Sequence, residues 1–207
     1  MEFTSDVAFT ETVKRIQAER GSRRAYARLE ELRGGFRDAI TPEIAAYIAE
    51  RDSAYLATAS AAGQPYVQHR GGPPGFIHVL DTKTLAFADF AGNRQYITTG
   101  NLAENERAFL FLMNYEARER LKIWGRARVV TGDEQLLAGL AHPEYEARIE
   151  QAIVFDVIGW DENCHQHIPN LVHADRVQHA LEALRARVAY LEGTLRASNV
   201  AFEESDA

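Results

Sequence analysis

The sequence predicts a mainly β (α+β) fold: a six-stranded antiparallel β-barrel flanked by N- and C-terminal helices. Three observations carry this. Between residues 53 and 160, short runs of β-forming residues are separated by turn signals. The helices among those runs are small and lack the regular strand–helix alternation of a parallel sheet. Both ends of the chain, by contrast, are rich in Glu, Arg and Ala and read as helix. The chain therefore divides into a helical extension (1–40), a barrel domain (41–170) and a C-terminal helix (171–207).

Residues 6–33 read as helix stopping at Gly34-Gly35, because glycine is favoured just past a helix end. A second helix starts at Thr41-Pro42-Glu43, with threonine as cap and proline at the first helical position. Residues 53–59 and 65–70 form a hairpin around Gly63, which is free to take positive φ. A further strand pair, 76–80 and 84–89, turns at Asp81-Thr82-Lys83. Gly92-Asn93-Arg94-Gln95 opens a short helix to about Asn105, followed by a buried strand over 107–113. The long strand 120–129 alternates apolar and basic residues, so one face packs and the other is cationic. A helical stretch covers about 133–149, and 152–160 is the last strand.

The tail after Pro169 is helical. Val177, Leu181, Leu184, Val188, Leu191 and Leu195 form a heptad seam. Two arrangements suit it: the helix lies on its own barrel, or it pairs across a dimer. Gly193 weakens the seam near its end.

Composition narrows the functional classes. The 207 residues are 46% hydrophobic, enough for a core without disulfides or metal. A net charge of −7 disfavours non-specific nucleic-acid binding. One cysteine, Cys164, excludes an internal disulfide and fits a reducing compartment. The N-terminus lacks a signal-peptide pattern, and no apolar run approaches the roughly 18 residues needed to span a bilayer. The expectation is a cytoplasmic protein with neither nucleic acid nor membrane as partner.

Three segments carry candidate chemistry. At Gly92–Asn105 a helix start with Arg94 beside it suits a phosphate, through free N–H groups and a guanidinium. The alternative is a surface turn with a solvated arginine. On the long strand, Arg120, Lys122, Arg126 and Arg128 share parity. They form either a solvated outer face or a barrel lip presenting Arg120 and Lys122 to an anionic ligand. In Trp160–Pro169, Cys164, His165 and His167 are metal-ligand types. No second Cys/His cluster completes a structural site, and no metal is expected. The segment otherwise reads as a polar exit from the strand, or as a contact to an aromatic cofactor edge. Rossmann, P-loop and Gly-x-Ser-x-Gly motifs are absent from the sequence.

Four pieces occur in order: Tyr55–Ala59 with Gly63-Gln64-Pro65-Tyr66, Gly92-Asn93-Arg94-Gln95 with Asn101-Leu102 and Asn105, Arg120–Ala127, and Asn163–Ile168. Together they resemble the pyridoxamine-phosphate-oxidase-like flavoproteins. The last is similar to an Asn-Cys-Pro-Gln-His-Ile signature of one branch. The resemblance covers about residues 40–170. It implies a split β-barrel homodimer with FMN between the subunits. It places Asn93, Arg94 and Gln95 at the flavin phosphate, with Gln95 where a lysine is common. Gln68 and Arg70 fall on the strand passing the isoalloxazine and phosphate, and Arg120 and Lys122 approach from the long strand. Trp160, Gln166 and His167 match the region that reaches across from the other subunit, and His167 becomes the proton donor. The Arg-x-His pair that grips substrate phosphate in the oxidases is replaced by His165-Gln166-His167. An oxidoreductase acting on another small molecule, with NAD(P)H a candidate electron donor, is therefore expected. The alternative is a non-catalytic or redox-sensing protein holding flavin, deazaflavin or haem.

Overall fold

The computed structural model describes residues 2–162 and 166–198. A 3-10 turn (Thr4–Val7) precedes α1 (Glu11–Glu19) and α2 (Arg23–Arg33). The single helix expected over 6–33 is thus broken, at Gly21 with φ +81°. That left-handed conformation costs glycine little and reverses the chain. Thr10 caps α1 by accepting from the Val13 N–H. The Asp6 carboxylate accepts from Lys14 Nζ at 2.8 Å and from the Phe3 and Glu2 N–H groups. The Lys14 ammonium, then the Phe3 N–H, hold its pKa down to about 2. A depressed carboxylate stabilises the fold above its unfolded pKa of about 3.9 and loses that contribution as pH falls through the folded value. Asp6→Asn is therefore expected to lower Tm at neutral pH. Its gap from the parent should narrow below about pH 4 and close near about pH 2 in thermal melts.

Helix α3 (Pro42–Ala49) begins as expected, with Thr41 accepting from the Ile44 N–H. It places Ile44 and Ile48 in the core. The strands are β1 (Ser53–Ala59), β2 (Pro65–Gly71), β3 (Ile77–Val79), β4 (Thr84–Phe90), β5 (Arg107–Asn114), β6 (Glu119–Val130) and β7 (Ile149–Glu162). They form one antiparallel sheet in the order β2-β1-β5-β6-β7-β4-β3, curled as a split barrel. The sheet has seven strands, one for each β run read from the sequence, where a barrel of six was expected; the three-residue β3 forms its edge by pairing with β4. Helix α4 (Ile97–Glu104) lies between β4 and β5 in sequence and packs over β1, β2 and β6.

The helix expected over 133–149 shortens to α5 (Glu134–Gly139). Pro143 lacks an N–H and disfavours helical backbone at His142, and β7 claims residues from Ile149 onward. Helix α6 (Ala174–Ala197) is the tail helix. Among the described residues, no helix is long and apolar enough to cross a membrane.

The core follows strand parity. Leu56, Leu110 and Ile123, all fully buried, sit opposite one another across β1, β5 and β6, and Trp160 of β7 continues the row. At the other end the same row finishes on Gln68 of edge strand β2. Parity thus places Tyr66, Gln68 and Arg70 on the inner face where the apolar row runs out. Between β6 and β7 the register shifts: Trp124 faces Gly159, but Gly125 faces Val157.

Candidate functional site

The inner face at the β2 edge opens into a cleft of about 220 Å³. It is lined by Tyr66, Gln68 and Arg70 of β2, Asp89 and Phe90 of β4, residues 92–96 of the following loop, the first turn of α4, and Glu150 of β7. Five of the residues singled out in the sequence meet here: Gln68, Arg70, Asn93, Arg94 and Gln95.

The loop departs from the expected helix start at Gly92. Arg94 (φ +61°) and Tyr96 (φ +53°) both adopt left-handed backbone, so α4 begins only at Ile97. Such conformations cost a non-glycine residue about 1–3 kcal/mol and cluster at ligand-binding sites. The Asn93 side chain accepts from the Gln95 N–H at 3.2 Å and helps hold the turn. Tyr96 is the N-cap residue of α4, and its side chain makes no capping bond. The first N–H groups of a helix have no partner within it, and the helix dipole adds positive potential there. Arg94 Nε lies 3.4 Å from the Tyr96 hydroxyl, which donates to Glu150 at 2.8 Å.

Deeper in the cleft, Gln68 Oε1 accepts from Thr98 Oγ1 (3.1 Å) and from the Tyr66 hydroxyl (3.3 Å). Those bonds fix the amide and leave its NH₂ as the group presented to a ligand. Arg70 forms an ion pair with Asp89, whose other oxygen accepts from Gln151 Nε2 at 2.8 Å. Gln151 also reaches Thr99 Oγ1 at 2.9 Å. Arg70 Nε is buried and lacks a hydrogen-bond partner. A bare helix start and the Arg94 cation, with the Arg70 side chain beside them in the lining, suit a phosphate ester.

The other five site residues do not line this cleft. Trp160 is 2% exposed, and its indole N–H donates to the Ala39 carbonyl at 3.0 Å. Its parity with Ile123 places it in the core, so in this fold it supports rather than touches the cleft. Arg120, Lys122, Arg126 and Arg128 share the outer face of β6, as parity predicts, but acids neutralise much of it. Lys122 pairs with Asp161 at 2.7 Å and lies over the Trp124 ring, Arg126 pairs with Glu106, and Arg128 with Asp156. Arg120 Nε is buried without a partner. Gln166 and His167 are exposed beyond the end of β7, His167 at φ +62°. Asn163, Cys164 and His165 lie outside the described residues.

Tyr66, Asp89, Thr98, Thr99, Glu150 and Gln151 were not anticipated. Tyr66 shares the parity of Gln68 and Arg70, a signal present in the sequence. The others depend on which strands become neighbours. A larger cavity, about 680 Å³, lies between β1, β2 and the base of α6, with Ser53 Oγ 2.9 Å from His69 Nε2. Its arginines, Arg51 and Arg176, are paired with Glu50 and Glu116, so volume alone does not make it the better phosphate site.

A family model described as pyridoxamine 5'-phosphate oxidase matches residues 40–191. Among solved structures, HupZ from Group A Streptococcus is 19% identical, with a TM-score of 0.50 over 64% of this chain and 99% of its own. An FMN-binding protein from Syntrophomonas wolfei is 11% identical, with a TM-score of 0.45 over 78% of this chain and 99% of its own. General stress protein 26 from Bacillus anthracis is 14% identical, with a TM-score of 0.45 over 58% and 91%. Comparison with curated proteins returns no match.

Proposed function

The chain belongs to the pyridoxamine 5'-phosphate oxidase family, and from that premise we propose that it is an FMN-dependent oxidoreductase acting on a small molecule other than pyridoxine phosphate. The observation that carries the proposal is the convergence of Arg94, the uncapped start of α4 and the Arg70 side chain on one cleft. FMN, when bound, supplies the two-electron redox chemistry. Arg94 and the first N–H groups of α4 would hold its phosphate, and the NH₂ of Gln68 would be free to donate to it.

A cleft of about 220 Å³ is smaller than the roughly 300–1,000 Å³ typical of sites that enclose a ligand. That supports a homodimer in which a second copy covers the ring, bringing Arg120, Lys122, Gln166 and His167 to it from outside. Arg120 and Lys122 would then offset negative charge at the flavin site, and an imidazole nitrogen of His167 would hold the proton exchanged with substrate. Replacement of the oxidases' Arg-x-His by His165-Gln166-His167 argues against a phosphorylated pyridoxine as substrate.

The proposal is tested by titrating the protein with FMN, followed by flavin fluorescence, and then assaying NAD(P)H oxidation. Binding with turnover is expected. His167→Ala should lower turnover roughly 10²–10⁴-fold, the range for general acid–base groups, with FMN retained. Undiminished turnover would remove His167 from the chemistry. One observation favours a second reading, a flavin-binding redox sensor: both carboxylates of the cleft, Asp89 and Glu150, are held in hydrogen bonds. FMN binding without turnover across electron donors would select it.

A further inference from the structure

Among the described residues, the seam of α6 has no apolar partner. No residue of this 24-residue helix is buried. Val177, Leu181, Leu184, Val188 and Leu191 are each 42–62% exposed. Five large aliphatic side chains in one stripe are costly to leave in water. The base of the helix, however, is firmly placed. Arg176 pairs with Glu116 in the β5–β6 turn, and Asn170 Nδ2 donates to the Glu116 carbonyl at 2.9 Å. The seam starts one residue beyond that anchor, so the helix leaves the body in a defined direction with its apolar stripe uncovered.

We infer that α6 is a self-association element that pairs in parallel with α6 of a second copy of this chain. The heptad positions favour that occupant. Leu181, Val188 and Leu195 take the a positions, and Val177, Leu184 and Leu191 the d positions. A β-branched a residue between leucines at d suits a two-stranded parallel coil. Charge then selects the direction. In a parallel pair the g residue Arg187 meets the e residue Glu192 of the other helix, twice by symmetry. In an antiparallel pair with full overlap, e faces e and g faces g. Arg185 and Arg187 flank the centre of the seam and would each meet their own copy. Like charges so placed are destabilising, which disfavours that arrangement.

The full chain carrying Cys164→Ser, which removes its one cysteine, is the background for the test. Leu184→Cys places a thiol at a central d position, and His179→Cys places one on the opposite, outward f position. Under mild oxidation the Leu184→Cys chain is expected to cross-link to itself about tenfold faster or more than the His179→Cys chain, because paired d positions satisfy disulfide geometry and pairing raises the effective thiol concentration. Equal rates would overturn the pairing, whether the seam stays bare or docks elsewhere. Preferential cross-linking of Val177→Cys chains to Leu195→Cys chains in a mixture would overturn the parallel direction. Neither readout depends on flavin.

Discussion

Arg94→Ala is expected to weaken FMN binding by roughly tenfold to a hundredfold, with the fold intact. The arginine sits in the left-handed turn that precedes α4, and its guanidinium is exposed at the cleft, not packed in the core. Its hydrogen bond to the Tyr96 hydroxyl is long at 3.4 Å. Removing it should leave Tyr96 bound to Glu150. What is lost is a charge-assisted bond to a phosphate dianion, about 1.5–3 kcal/mol, which converts to the stated fold-change. Relief of left-handed strain is not a compensation, because alanine tolerates that conformation no better than arginine does. Fluorescence titration beside a thermal melt separates the two effects. An unchanged Kd with an unchanged Tm would remove Arg94 from the site.

Gly125→Ala is expected to be the most damaging small substitution on the long strand, at about 3 kcal/mol or more, the upper end of overpacking costs. A Cβ there would lie 2.2 Å from Phe155 Cε1, 2.7 Å from its Cζ and 2.4 Å from the Asp156 carbonyl oxygen. Phe155 is fully buried and cannot swing away, and the carbonyl belongs to the β7 backbone. Gly125 also stands where the β6–β7 register shifts, so relaxation there would disturb the longest strand pair. For a domain of this size each kcal/mol moves Tm by roughly 2–4 °C, so a loss of about 6–12 °C is expected in calorimetry. A loss of less than about 2 °C would show that β7 yields more readily than its packing suggests.

The glycine illustrates what the sequence could and could not convey. Alternation along β6 correctly placed Arg120, Lys122, Arg126 and Arg128 on one face, because side chains on a strand alternate whatever the partners are. The same alternation was silent about Glu106, in the connection from α4 to β5, and about Asp156 and Asp161 of β7, which neutralise that face. Helix α3 was legible from Thr41 and Pro42, whose effects are local. The start of α4 was misplaced by five residues, because neither Arg94 nor Tyr96 advertises left-handed backbone. In the cleft, Gln68 and Arg70 were found through their strand and Asn93–Gln95 through their loop. Asp89 and Gln151, which hold Arg70 in place directly and at one remove, are 62 residues apart and meet only when β4 pairs with β7. Trp160 misled for a related reason: an aromatic near a cofactor motif also fits a core row, and parity with Ile123 decides for the core.

The central claim is that the cleft at the β2 edge holds FMN, and the absorption spectrum of the purified protein, repeated after heat release, tests it most directly. The account predicts flavin absorption in the blue, releasing FMN at about one per chain, or acquired on adding FMN to colourless protein. A colourless protein that binds no added FMN, while its melt shows it folded, would contradict it.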